Sequence, residues 1–148
     1  MAPIDSPLTL SLALLACWAV VGAVGLLRPH SVVLVRRVLF PLGALIGVGL
    51  AVAAVHSLAE PVEQATLHIG LPDLPMHVRL DDLSRVFLAL LGSAAAGVSL
   101  FAAGYFRKGE GTAPGVMGLQ YHLFLASMGF VLVADDAYAF MVAWETMA

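Results

Sequence analysis

Cysteine occurs once, at Cys17, inside an apolar run. A single thiol forms no internal disulfide and no cysteine-rich metal centre, so cysteine chemistry is not the function. Charge is scarce as well: 11% of the 148 residues are charged, against about 25% in a soluble domain. The net charge of −3 is small and scattered, which offers nothing to nucleic acid or to a polyanionic substrate. The glycine-rich stretch Gly109-Glu110-Gly111-Thr112-Ala113-Pro114-Gly115 lacks the Gly-Lys-Ser/Thr ending of a phosphate loop and is punctuation between helices. There is no internal repeat and no nucleophile–base set. No catalytic, metal-binding or cofactor-binding residue is assigned.

What the chain has is apolar length. Hydrophobic residues make up 61%, and the mean hydropathy is +0.96. This composition predicts an all-α integral membrane protein with the lipid bilayer as its first partner. Spans are expected at about 8–27, 38–55, 83–106 and 117–134, with an incomplete fifth at 136–148. The N-terminal run carries Asp5, has no Lys or Arg before it, and continues past Cys17 to Leu27, so it reads as a retained span rather than a cleaved leader. Pro41 is placed in the first turn of span two, where a missing N–H does little harm.

Sidedness follows from Lys and Arg. Arg28, Arg36, Arg37, Arg107 and Lys108 fall between spans one and two or between three and four; Arg79 and Arg85 fall on the other side. By the positive-inside rule the first group is cytoplasmic and the N-terminus is outside, in a bacterial cytoplasmic membrane. Small residues recur along the spans (Gly43, Gly47 and Ala51; Gly92, Ala96, Ser99 and Ala103; Gly118, His122, Ala126 and Gly129), as close helix packing in lipid requires. In the outer loop, Leu67, Ile69 and Leu71 alternate, as do Met76, Val78 and Leu80, about a Pro72-Asp73 turn. A short β-hairpin over about 66–80 is expected, with His68 and His77 able to meet across it. Two histidines without a third ligand make no metal site.

Two residues could handle protons. Glu145 lies nine residues beyond Asp136, roughly 13 Å into a hydrocarbon core about 30 Å thick. A carboxylate there costs about 2.5–3.5 kcal/mol, so it is normally paired, faces a cavity or carries protons. The other reading of Glu145 is an exposed chain end. His122, in span four, has an unperturbed pKa of about 6.5 that suits a relay, or it is a histidine hydrogen-bonded in a helix contact. Ser127 and Thr146 could hold water near such a path, or bond back to their own helices. All seven Lys and Arg residues are placed in loops or at span ends, so no cation for Glu145 is expected within the chain.

Leu80-Asp81-Asp82-Leu83-Ser84, Gly104-Tyr105-Phe106, Leu125-Ala126-Ser127-Met128 and Phe140-Met141-Val142-Ala143-Trp144-Glu145-Thr146-Met147 resemble the antiporter-like, proton-translocating membrane subunits. That family serves respiratory complex I, multisubunit cation/proton antiporters and membrane-bound hydrogenases. The wording around Trp144-Glu145 is most similar to the hydrogenase-4 and formate hydrogenlyase type. The resemblance implies a fourteen-helix subunit with two inverted five-helix repeats, an outer hairpin, and neighbouring membrane subunits as partners. It also implies that Glu145 pairs with a lysine on a broken helix further on. The chain is expected to be a single N-terminal membrane domain of such a subunit. Its alternatives are a subunit of a cation/proton antiporter and a structural membrane scaffold.

Overall fold

The computed structural model of the chain describes residues 6–71, 73–106 and 112–147. The sequence expectations for Asp5, Pro72, Arg107, Lys108, Glu110 and Ala148 therefore lie outside the described residues. Among the described residues, four helices are long and apolar enough to cross a membrane: α1 (Pro7–Leu27), α2 (Val32–Ala59), α3 (Asp82–Tyr105) and α4 (Pro114–Val133). A fifth, α5, runs over Ala137–Met147. Between α2 and α3 stands an antiparallel hairpin of β1 (Glu63–Leu71) and β2 (Leu74–Leu80). The expected all-α architecture is observed: four helices able to span a membrane, with a β-hairpin between the second and third.

Each helix starts where a polar cap or a proline allows it. The Ser6 side chain accepts the Thr9 N–H at 3.2 Å and Pro7 opens α1. Asp81 accepts the Ser84 N–H at 2.9 Å, and Pro114 opens α4. These residues satisfy or remove the orphan N–H groups of a first helical turn. Asp81 is held below the usual carboxylate range, chiefly by that Ser84 N–H.

Span two differs from its expected bounds. It begins at Val32 rather than near Val38, so Arg36 and Arg37 belong to its opening turns and Pro41 lies in its interior. The backbone accommodates the proline by widening into a π-helical stretch over Val35–Leu39, where the Phe40 N–H reaches the Val35 carbonyl. Arg36 reaches across to the end of α3, its Nε donating to the Ala103 carbonyl at 3.0 Å. A cation at carbonyls left open by a helix C-terminus is favourable.

The bundle is held by small residues. A Cβ on Gly47 would lie 2.7 Å from the Gly92 carbonyl, and one on Gly92 would lie 2.5 Å from the Gly47 carbonyl, so α2 and α3 touch through their backbones. Gly25 and Gly115 make the same kind of contact between α1 and α4. Large apolar side chains such as Leu45, Leu100 and Phe101 point outward, the arrangement expected when the surrounding solvent is lipid.

The hairpin sits on one end of this bundle. Met76, Val78 and Leu80 on β2 are buried, and Val78 and Leu80 join the core that also holds Leu8, Leu88 and Val133. The hairpin starts at Glu63, earlier than its alternation suggested, because the Glu63 carboxylate is tied to α1 by the Leu8 N–H at 2.9 Å. His77 pairs with Thr66, and the register shifts between Leu67 and Gly70, so His68 and His77 are not opposite one another. No group of three metal-ligating side chains occurs among the described residues.

Candidate functional site

His122 lies on the ninth residue of α4, deeper than expected because the helix starts at Pro114. It is fully buried. Its Nδ1 is 2.7 Å from the Gly118 carbonyl one turn back. A carbonyl has no proton to donate, so Nδ1 carries the hydrogen and Nε2 presents a lone pair when the ring is neutral. Nε2 has no hydrogen-bond partner among the described residues. The ring fills the space left by two glycines: a Cβ on Gly43 would lie 2.5 Å from Nε2, and one on Gly22 would lie 3.0 Å from the His122 Cβ. Phe40 stacks on the imidazole with centroids 6.2 Å apart, and Tyr121 meets it edge-on at 5.1 Å.

The residues packed around this ring make further polar contacts. The Tyr121 hydroxyl is 2.9 Å from Ser99 Oγ, and it lies 3.4 Å from the Ala95 carbonyl. Trp18 Nε1 donates to the Gly43 carbonyl at 3.0 Å. Gly22 of α1, Phe40 and Gly43 of α2 and Tyr121 of α4 thus pack around His122, with Ser99 of α3 bonded to Tyr121. The sequence pattern identified Ser99 and Gly43 only as small packing residues. Tyr121 and Trp18 carried no signal, because an aromatic residue in an apolar span is ordinarily packing.

Glu145 is placed differently. On α5 the buried residues are Ala139 and Ala143, whereas Tyr138, Met141, Val142 and Glu145 follow one another on another face. That stripe opens onto a cleft of about 490 Å³ also bordered by Thr146. Glu145 is exposed and makes no ion pair among the described residues. It lies eight residues from the start of α5, roughly 12 Å along the axis; His122 lies eleven residues from the end of α4, roughly 17 Å. The two are at comparable depths and on different faces, and no contact joins them.

The two hydroxyls meet unexpectedly. Ser127 and Thr146 both line one apolar cavity of about 380 Å³, walled also by Leu15, Leu67, Met76 and Phe130. Thr146 Oγ1 donates to the Val142 carbonyl at 2.7 Å, the back-bond that was one of its two readings.

Arg85 lies at a span end, as the sequence placed it, and is nevertheless shut off from solvent. It lies in the first turn of α3 and its side chain is fully buried. Nη1 donates to the Glu60 carbonyl at 2.7 Å and to Asp82 at 2.9 Å, and Nη2 donates to the Pro61 carbonyl at 2.6 Å. Those bonds occupy it in holding the end of α2 to the start of α3.

No family model matches the chain. Two uncharacterized proteins of Mycobacterium tuberculosis, one from strain CDC 1551 and one from strain H37Rv, are each 36% identical over 105 residues, which are 69% of this chain and 16% of theirs. Hydrogenase-4 component B of Escherichia coli K12 is 29% identical over 106 residues, 72% of this chain and 16% of that protein. The chain thus spans about 16% of the length of the curated relatives it matches. With four helices long and apolar enough to cross a bilayer, it is an integral membrane protein similar to a hydrogenase component.

Proposed function

We propose that this chain is an N-terminal membrane domain of a proton-translocating subunit in a redox-driven complex of the hydrogenase type. Its partners are other membrane subunits, and Glu145 and His122 handle the protons. The observation that carries the reading is Glu145 itself. A carboxylate roughly 12 Å along an apolar helix, facing away from its own bundle and without a cation among the described residues, calls for a partner elsewhere. The similarity to Hydrogenase-4 component B supports a hydrogenase-type complex as the setting. The distribution of basic residues supports a cytoplasmic-membrane location with the N-terminus outside.

In such a subunit a cation approaching Glu145 favours its charged form, and withdrawal of that cation favours proton uptake. Substrate oxidation and reduction belong to partner subunits. A structural scaffold would use the same carboxylate as a fixed ion pair with a neighbouring chain. Glu145→Gln in the full-length protein within its complex separates the two. It keeps the shape and removes the titrating charge. Translocation into proteoliposomes should fall at least tenfold while the complex still assembles. Full pumping by the variant would reject the transport reading, and loss of assembly would favour the scaffold.

A further inference from the structure

We infer that the cleft between the end of α1 and the start of α2 binds an anionic phospholipid, its phosphate held by Arg28 and Arg37 and its hydrocarbon by the apolar wall beside them. The inference does not depend on the proton path. It needs only that the chain lies in a bilayer.

The cleft is at the end of the bundle opposite the hairpin. It has a volume of about 420 Å³ and is lined by Arg28, Ser31 and Arg37 together with Leu27, Val33 and Val38. Sites that hold small organic ligands run from about 300 to 1,000 Å³. Arg28 follows the last turn of α1, and Arg37 belongs to the opening turns of α2. For helices that span a bilayer, this is the level at which hydrocarbon gives way to lipid headgroups.

The three arginines of this connection differ in what they hold. Arg36 is occupied, with Nε donating to the Ala103 carbonyl at 3.0 Å and Nη2 to the Gly104 carbonyl at 3.4 Å. Arg28 and Arg37 are exposed, and neither guanidinium has a hydrogen bond or an ion pair among the described residues. No counter-charge lies nearby either. Apart from Glu145 on α5, every described Asp and Glu is at the hairpin end. Two planar forks of N–H donors are therefore turned to one cleft, and such forks match the paired oxygens of a phosphate. Ser31 adds a donor, because its Oγ accepts the Leu34 N–H at 3.2 Å and keeps its own O–H to give.

The apolar wall decides between anions. A free phosphate would use the two forks and gain nothing from Val33, Val38 and Leu27, the last of them 79% exposed. A zwitterionic lipid brings an ammonium along with its phosphate and so offers the arginines no net negative charge. An anionic phospholipid meets both arginines and covers the apolar side chains at once, as basic pockets between membrane helices do with such headgroups. Bound there, its phosphate would tie the end of α1 to the start of α2.

The test uses the full-length protein in phosphatidylcholine nanodiscs doped with phosphatidylglycerol that carries a diazirine near the carbonyl end of one acyl chain. After illumination, crosslinked peptides are located by mass spectrometry. Labelling is expected within residues 24–38. Excess unlabelled phosphatidylglycerol should displace the probe, and inorganic phosphate should not. Arg28→Gln combined with Arg37→Gln should lower the labelling roughly tenfold. Arg28→Lys with Arg37→Lys keeps both charges without the forks and should retain part of it. The competition in the parent protein decides the matter even if a variant fails to fold. Equal labelling by a phosphatidylcholine probe of the same design overturns the inference, as does displacement by inorganic phosphate as effective as by phosphatidylglycerol. Absence of labelling within residues 24–38 also overturns it and points to an acidic residue of a neighbouring subunit in the cleft. None of these readouts involves pumping, so full pumping by Glu145→Gln would remove the transport reading and leave the lipid site in place.

Discussion

Asp136 fastens the hairpin to the fifth helix through His77. Its Oδ2 accepts the His77 backbone N–H and lies 3.2 Å from His77 Nδ1, while its Oδ1 accepts the Ala139 N–H at 2.7 Å and caps α5. The Asp135 N–H donates to the His77 carbonyl at 2.9 Å, and Val78 bridges to Ala134. The link between α4 and α5 thus runs beside β2, joined to it by a single β-bridge and one further backbone hydrogen bond. The helix that carries Glu145 is tied to the hairpin by these bonds.

The first prediction concerns that clamp. The N–H groups of Ala139 and then His77 hold the Asp136 carboxyl below the usual carboxylate range. A depressed folded-state value means the clamp's contribution is full above the ordinary Asp value of about 3.9 and is lost as pH falls through the lower folded value. Hydrogen-exchange protection factors, corrected for the slower intrinsic exchange in acid, should hold in β2 and the first turn of α5 at pH 5 and fall together as the pH drops below about 3.9 and through the lower folded value. Asp136→Ala should show the reduced protection at pH 5 as well. Exchange that is unchanged in the variant would show that the clamp does not hold these elements.

A second prediction follows from the α2–α3 contact. Gly47→Ala or Gly92→Ala places a methyl group against a carbonyl of the facing helix, which cannot move aside without separating the helices. Overpacking of this kind costs about 1–3 kcal/mol. Gly97→Ala, where nothing lies within 4 Å, should cost nothing measurable. Thermal unfolding of the purified protein in detergent should rank the variants in that order. Equal midpoints for Gly92→Ala and Gly97→Ala would show that the backbones are not in contact.

The contrast between those glycines shows what could be read in the sequence. Apolar runs of about twenty residues fixed the spans, because a bilayer sets helix length, and alternation in Met76-His77-Val78-Arg79-Leu80 fixed a strand. Periodicity indicated that Gly47 and Gly92 pack but could not say against what. It also misplaced the start of α2, because Pro41 looked like a helix start, whereas a π-helical stretch carries the backbone through it. The sequence placed Arg85 at a span end, but its burial could not be read there, because carbonyl acceptors leave no mark in a sequence. For the site, the residue types of Glu145 and His122 were legible; the Ser99–Tyr121 pair and the notch at Gly43 arise only when three helices meet.

Sidedness gives a third prediction. With Cys17 replaced by Ala, single cysteines at Asp73, beside the hairpin turn, and at Ala113, just before α4, report opposite faces of the membrane. An impermeant thiol reagent applied to intact cells should label the Asp73 position and leave the Ala113 position unlabelled until the membrane is opened. The reverse pattern would invert the orientation and place the hairpin on the cytoplasmic side.

The last prediction is that Arg85 is worth more than any other basic residue to the hairpin end of the bundle. Its guanidinium donates to two backbone carbonyls, Glu60 and Pro61, while its side chain is shut off from solvent. Those carbonyls lie between the end of α2 and the start of β1, so the fork ties the hairpin's entry to the first turn of α3. The pair with Asp82 contributes little, because the Asp82 side chain is 78% exposed and water competes for it. Arg85→Met removes the fork and leaves the two carbonyls without their donor, at an expected cost of about 2–3 kcal/mol. Arg85→Lys keeps the charge, but an ammonium lacks the planar fork and should recover only part of the loss. Asp82→Asn should cost less than about 1 kcal/mol. Thermal unfolding gives the ranking, and hydrogen exchange across Glu63–Leu71 locates the effect. If Arg85→Met unfolds at the parent's midpoint with β1 still protected, the fork is not what holds the hairpin to the bundle.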